Sequence, residues 1–475
     1  MDWLTPVWLI TKRELRDQFR DWRILFPLLV LTILFPFLMN EVAYQAVEFV
    51  AKYGETLLVD RLVPFSVLII GFFPITVSLV IALESFVGEK ERGTIEPLLT
   101  TPLKDWHMYL GKLLVGILTP LLASFLSIAF YLMMVSHQKI EMPDNWVLVQ
   151  LLALTAAHAV LMVSAAIVIS VQSTTVKAAN LLASFIVIPV AILMQGESAL
   201  LFWGNNQILW LAVVAVMLMA GLIIRLGLAH FQREYMLGRE LDVLSIRWIG
   251  QTFWRYFKGQ AHSPVEWYRL EIPKMLRQLW LPVGILLFAA MLAFWLSFQW
   301  TVTIVPEQVE AATPENFQKI AEEVKGSPLT LGMSPNLSAP GIFAHNLQAI
   351  GVILLAGLFS FSVLGVLLYL VNLSLVGVVL GFLQLMGYSA PLVGIAGLGP
   401  HGIFELPALI LASAAMLRIG VVLVTPQTGR SLGEVWLETL ADWAKIAVGV
   451  TLPLLVIAAV IETYVTPNLL LSVLK

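Results

Sequence analysis

The chain has no cysteine among its 475 residues, and Asp, Glu, Lys and Arg together make up only 12%. The first absence excludes disulfide frameworks, thiolate metal sites and thiol nucleophiles. The second excludes an ordinary soluble domain, in which about a quarter of residues are charged. Alternating segments of about ten residues, the mark of a membrane β-barrel, are missing too, so spanning must be helical. A Walker A lysine is also lacking. "GEKERGT" (88–94) has two glycines at phosphate-loop spacing, but Thr94 follows Gly93 directly and an apolar run, not a strand, precedes it. This polypeptide therefore does not bind ATP through a P-loop. No cleavable signal peptide is read at the start, because the first 23 residues are too charged and the first apolar run too long.

Apolar sequence is abundant. Hydrophobic residues reach 59% and mean hydropathy +0.88, and a run of about 20 such residues crosses a bilayer as a helix. Eleven spans are read, near 24–43, 63–84, 107–136, 147–171, 179–195, 207–229, 278–299, 346–370, 373–387, 402–424 and 443–465. The ninth is short and glycine-rich, which suits a half-helix or re-entrant piece. With the N-terminus inside, cytoplasmic segments hold 20 Lys and Arg and external ones 6, the sense expected of a plasma-membrane protein. Lys112 and Lys445 then lie at cytoplasmic helix ends. The fold class is an all-α polytopic membrane protein of six plus five spans. Its expected organisation is 1–240, a cytoplasmic amphipathic linker 241–277, and 278–475 with an acidic external segment 300–345. In that segment Thr313 and Pro314 begin a short external helix.

Two stretches predict helices lying in the headgroup plane. After Thr5 as N-cap and Pro6 in the first turn, Trp8, Leu15, Phe19, Trp22 and Phe26 form one apolar stripe. Lys12, Arg13, Glu14, Arg16, Asp17, Arg20, Asp21 and Arg23 supply the polar side, and Arg13 can pair with Asp17. That pattern fits either a lever on the membrane surface or charge that only sets topology. In the linker, Ser263, Pro264 and Glu266 make a capping box, followed by Trp267, Leu270, Met275, Leu276, Leu279 and Trp280 with a break at Pro273. "RWIGQTFWRYFK" (247–258) mixes arginine with aromatics. Beside spanning helices it reads as a lipid anchor and not as a nucleic-acid surface.

The loop between spans 2 and 3 is the densest polar patch, with seven charged residues in 86–106. Gly93 reads as the C′ glycine ending one helix, and Thr94 as the cap of a short crosswise helix over 94–100. Pro97 falls in its first turn, and Thr101-Pro102 opens span 3. Ile95, Leu98 and Leu99 give the crosswise helix an apolar face, as a helix docking into a partner's groove requires. "ITKRELRDQFRDWRILFPLL", "GEKERGTIEPLLTTPL" and "YLGKLL" together resemble the type-2 ABC transporter permeases, an exporter class. The likeness covers about 6–240. It implies a connecting helix (Arg13, Glu14, Arg16, Asp17, Asp21, Arg23) and a coupling helix matched at Glu91, Arg92, Gly93, Thr94, Glu96, Leu98, Leu99 and Pro102, with Glu89 beside them. Pro97 departs from the family's helix-forming residue. The resemblance further implies a separate ATPase subunit that binds ATP and Mg²⁺, a second permease copy, and no cofactor or metal in this chain.

In the second half, Gly377 and Gly381 permit close helix–helix approach. His401 and Glu405 lie four apart on one helix face. An ionisable pair inside a bilayer costs about 2.5–3.5 kcal/mol for a central acid and so marks function by default. A structural pair bonded to Asn346 or Asn372, a proton or substrate contact, and a metal or hydrolytic site all stay open, although one His–Glu pair supplies too few ligands for catalytic zinc. "GPHGIFELP" resembles the stage II sporulation protein M family through Pro400, His401, Gly402, Glu405 and Pro407, with Asn346 and Asn372 matching its asparagines. The likeness covers about 264–470, and Met416 replaces the family's usual glycine. That family is linked to cell-envelope remodelling, which implies an alternative role: a transmitter acting on a cell-envelope enzyme through 300–345 without moving a solute. In the first half, His158, Gln172, Asn180 and Gln195 are the candidate pore groups.

Overall fold

The computed structural model describes residues 4–53, 56–96, 100–138, 140, 142–173, 175–203, 208–231, 246–309, 338–385, 387–425 and 432–474. Among them there is no strand, and the protein is an all-α polytopic membrane protein. Among the described residues, ten helices are long and apolar enough to cross a bilayer. The fifth expected span falls on the helix Val176–Trp203, which runs 28 residues without a break. The chain forms two compact units, Met1–Val243 with Val424–Gln427, and Leu244–Leu423 with Thr428–Lys475.

The first unit holds α1 (Thr5–Gln18), α2 (Trp22–Tyr53), α3 (Thr56–Glu91), α4 (Asp105–His137), α5 (Asn145–Gln172), α6 (Val176–Trp203) and α7 (Ile208–His230). α5 is its centre, packed against α3 and α7. Small hydroxyl residues let these helices meet closely and satisfy each other: Ser124 of α4 donates to the Gly71 carbonyl of α3 at 2.7 Å, and Ser127 donates to Thr32 of α2 at 3.0 Å. Without a hydrophobic drive between helices in lipid, such packing and bonding hold them together. Leu4, not Thr5, is the N-cap of α1. The expected single stripe is broken, because α1 ends at Gln18 and Trp22 and Phe26 belong to α2; Trp8, Phe19, Trp22 and Phe26 are all more than half exposed.

The second unit contains α8 (Ile246–Lys258), α9 (Pro264–Gln278), α10 (Trp280–Val309), α11 (Ala339–Phe359), α12 (Val363–Leu385), α13 (Ala390–Gly397), α14 (Gly399–Leu423), α15 (Leu432–Ile446), a π turn (Ala447–Thr451), α16 (Leu452–Tyr464) and α17 (Thr466–Leu474). Ser263 caps α9 by accepting from the Glu266 N–H at 3.2 Å. Pro273 does not interrupt it, since the helix runs to Gln278. Gly377 and Gly381 of α12 lie against Phe294, Ser297 and Thr301 of α10, so close that a Cβ at either position would clash.

The expected boundary between spans 8 and 9, near residue 372, is corrected. The helix breaks at Ser360–Ser362, where Phe361 and Ser362 take positive φ (49° and 76°). Ser360 accepts from the Leu364 N–H at 2.9 Å, and Ser362 donates to the Met416 carbonyl at 2.8 Å. The serines thus replace the helical bonds that this turn gives up. Asn372 breaks nothing, because its amide donates to Leu368 of its own helix at 2.9 Å. α12 is therefore a full 23-residue helix, and the short apolar piece is α13. The Met416 side chain lies over Gly357 and Gly365, filling the space they leave.

A buried ionic chain ties α9 to α14 and α15. Lys445 contacts Glu271 at 2.8 Å and Asp442 at 3.1 Å, and Asp442 contacts Arg418 at 2.7 Å. Burial raises the Glu271 carboxyl. Its hydrogen bond to Lys445 and that ion's charge outweigh this and hold it below the ordinary carboxylate value.

Candidate functional site

Gly93 (φ +68°) ends α3 in a left-handed turn that a side chain would disfavour. Its N–H donates to Lys90 at 3.1 Å and that of Thr94 to Glu89 at 3.0 Å, the two reversed bonds of a Schellman cap. The chain then turns into helix at Ile95 and Glu96, and the Thr100 N–H returns to Glu96 at 3.1 Å. Ile95 is buried, so it anchors the turn to its own chain and does not join an outward docking face. Glu91, Arg92, Thr94, Glu96 and Pro102 are exposed. Pro97, Leu98 and Leu99 lie outside the described residues, and with them the middle of the expected crosswise helix. Thr101-Pro102 does not open the next helix. α4 begins at Asp105, where the Lys104 N–H donates to Nδ1 of His107 at 3.1 Å.

Charges at the end of α3 bind it to its neighbours. Glu91 accepts from the Val176 N–H at 2.8 Å, meeting the positive N-terminus of α6. Lys90 donates to the Val171 and Ser173 carbonyls at the C-terminus of α5, and Ser170 accepts from the Phe86 and Val87 N–H groups at 3.0 and 3.1 Å. The turn between α5 and α6 is thereby clasped from both ends.

The centre of the site is a residue the sequence reading treated as topology alone. Lys112 of α4 is buried, 4% exposed. Its Nζ lies 3.0 Å from Glu89 of α3 and 3.4 Å from Glu14 of α1, donates to the Ser85 carbonyl at 2.8 Å, and sits 5.1 Å from the centre of the Phe86 ring. One ammonium thus joins three helices. α1 is held along α4 by a second stripe: Val7 and Thr11 are buried, Thr11 lies 3.2 Å from the Gly111 carbonyl, and Gln18 accepts from Thr119 at 2.8 Å. Gly111 permits this approach, since a Cβ there would come within 2.7 Å of Ile10. Val7, Thr11, Glu14 and Gln18 recur at 4, 3 and 4, a helical face that the brighter aromatic stripe masks. Arg13 and Asp17 pair at 4.0 Å on the outside, and Arg16 and Asp21 are exposed. The side chain of Arg23 lies outside the described residues.

Within the spanning helices of the first unit, only one expected polar residue is internal. Gln172, Asn180 and Gln195 are exposed, whereas His158 of α5 is buried 3.4 Å from Glu197 of α6, an acid the sequence reading passed over. In the second unit, His401 and Glu405 of α14 do face each other, at 4.0 Å. They meet Glu462 of α16, and ligand atoms of all three lie within 4.8 Å of one another. Asn346 of α11 faces Glu405, and its amide nitrogen is buried without a hydrogen bond of good geometry. Asn372 is exposed and takes no part. Of the acidic external segment, 310–337 lie outside the described residues.

Comparison with known proteins agrees with this division. Residues 8–206 match the family model "ABC-2 family transporter protein", and residues 283–467 match "Stage II sporulation protein M". The chain is 30% identical over 137 residues to the uncharacterized protein MJ0793 of Methanocaldococcus jannaschii, a stretch covering 28% of this chain and 75% of that protein. It is 32% identical over 109 residues to the probable ABC transporter permease protein NosY of Pseudomonas aeruginosa, covering 23% of this chain and 38% of that protein. The chain is a multi-pass membrane protein that joins a segment similar to the ABC-2 family transporter proteins to a segment similar to Stage II sporulation protein M.

Proposed function

We propose that this chain is the membrane subunit of an ATP-driven exporter in a prokaryotic plasma membrane. A separate ABC ATPase subunit, which carries the ATP and Mg²⁺, engages the exposed turn Glu91–Glu96 and the lever α1 on the cytoplasmic side. The observation that carries this reading is the Lys112 joint. A push on the turn moves Glu89, and Lys112 passes it to α4 and, through Glu14, to α1 without a compliant loop between them. The clasp of Lys90 and Glu91 on the α5–α6 turn carries the same push to the rest of the unit. Two copies of the chain complete the translocation path.

Because the chain has no native cysteine, a single introduced thiol reports without background. In the chain co-expressed with its ATPase, Glu96→Cys carrying a photoreactive maleimide crosslinks to the ATPase subunit. Trp146→Cys, likewise exposed but in the first turn of α5, does not. Equal crosslinking from both positions, or none from Glu96→Cys, contradicts the reading.

A further inference from the structure

The second unit holds a polar cluster that the coupling reading does not use. Thr466 Oγ1 is 3.5 Å from the Ile461 carbonyl, to which its hydroxyl donates, and 3.1 Å from Nδ1 of His401. In the tautomer that carries its proton on Nδ1, the threonine oxygen accepts the hydrogen bond from His401. Nε2 then presents its lone pair to the Glu405 carboxyl at 4.0 Å. Glu462 brings a second carboxyl to the same place, and among the described residues no Lys or Arg forms an ion pair with either acid. Three electron-pair donors thus converge in apolar surroundings beside the Asn346 amide, and two ionised carboxylates there repel each other unless protons or a metal cation neutralise them.

We propose that His401, Glu405 and Glu462 form a divalent metal site, with zinc the ion best matched to one imidazole and two carboxylates. Around zinc, bonds of about 2.0–2.2 Å set ligand atoms roughly 3.4 Å apart, so the observed spread, at most 4.8 Å, closes by side-chain adjustment alone. Thr466 supplies the outer-shell acceptor that orients a ligating histidine. A second observation sets the kind of site. His401 and Glu405 also border a cavity of about 640 Å³, lined by Leu287, Phe294, Tyr369, Leu380 and Ile395, in the size range of small-molecule sites. A three-ligand ion at its wall keeps a coordination position open to that cavity, as catalytic and substrate-binding zinc sites do and closed structural ones do not. Its outermost wall residues are exposed on the apolar surface, Ile395 at 71% and Met291 at 55%. The class of molecule this position takes is an amphiphile entering from the lipid, with an oxygen-bearing head on the metal and its chain in the cavity. This inference is independent of the ATPase coupling proposed above.

The test uses the full chain, purified in lipid nanodiscs through a histidine-free tag, loaded with zinc, freed of excess and assayed by elemental mass spectrometry. The unmutated chain and Asn372→Ala retain stoichiometric zinc. His401→Ala and Glu462→Gln lose it, and Thr466→Val weakens binding about 10–100-fold. Zinc in the unmutated chain no higher than in His401→Ala overturns the proposal and leaves protons as the neutralising charge. Should Glu462→Gln fail to insert, cobalt in the unmutated chain decides. Intense visible bands of a low-coordinate, nitrogen-ligated ion support the site, and the pale spectrum of the hydrated ion contradicts it.

Discussion

A buried lysine and a buried glutamate show what single side chains do here. Removing one partner of a buried ion pair costs about 3–5 kcal/mol. The side chains of Glu14 and Glu89 are 23% and 20% exposed, so water relieves part of this and about 2 kcal/mol remains for Lys112→Met. That loss is read as a lower thermal midpoint of the solubilised chain, whereas Lys12→Met, on the exposed face of α1, leaves the midpoint in place. Glu271 gives a pH signature. Its carboxyl is held below the ordinary value of 4.5, so the stabilisation from the Lys445 contact is complete above that value. It is lost as pH falls through the lower folded value. Melting curves of the unmutated chain therefore drop in acid below pH 4.5, and Glu271→Gln has a lower midpoint at neutral pH with a smaller acid drop. An unchanged acid drop in the variant would remove Glu271 from the cause. Neither role was legible beforehand. A lone lysine at a helix end reads as topology, and its partners lie 23 and 98 residues away.

At the scale of elements, local signals and long-range ones separate cleanly. The end of α3 at Gly93 was readable because glycine before a Thr-capped apolar stretch has one conformational use, and the Schellman bonds are of that kind. Gly93→Val forces a branched side chain into the left-handed region at about 1–2 kcal/mol. The expected result is an altered turn, detected as loss of the Glu96→Cys crosslink in a chain that still inserts. An unaltered crosslink would mean the turn tolerates any backbone. The break at Ser360–Ser362 was missed because its polar groups are satisfied by α14, 54 residues on, which no window of sequence reports. The start of α4 was misplaced for a similar reason: proline after threonine suggested a cap, but the cap comes from His107 three residues inside the helix. α1 shows the remaining case. Its aromatic stripe announced a lipid face, and the quieter Val7, Thr11, Glu14 and Gln18 face is the one that touches protein. Gln18→Cys with Thr119→Cys should join through a short bismaleimide, whereas Trp8→Cys with Thr119→Cys should not.

For the whole molecule, composition alone settled the helical membrane class, because 12% charged residues in 475 leave no other solvent for so much apolar surface. Segments similar to two families meet in one chain, and the orientation proposed for it rests on the excess of Lys and Arg on one side. In intact cells a membrane-impermeant maleimide should label Thr313→Cys and spare Ser263→Cys until the membrane is opened; the reverse pattern inverts the topology. What composition could not supply is the set of contacts joining distant segments: Lys112 to Glu14, His158 to Glu197, and His401 to Glu462. Each starts from a residue whose immediate neighbours carry no charge (Lys112 between Gly111 and Leu113, His158 between Ala157 and Ala159, His401 between Pro400 and Gly402), so each looks isolated until the helices are packed. The proposed function stands on Lys112 as the link between the turn at Glu91–Glu96 and α1. Its most direct test is the distance between spin labels at Arg16→Cys on α1 and Lys177→Cys on α6, in the complex with the ATPase, before and after trapping with ATP and vanadate. The account predicts a nucleotide-dependent shift in the distance distribution that Lys112→Met abolishes. The same shift in Lys112→Met, or no shift with the joint intact, would contradict it.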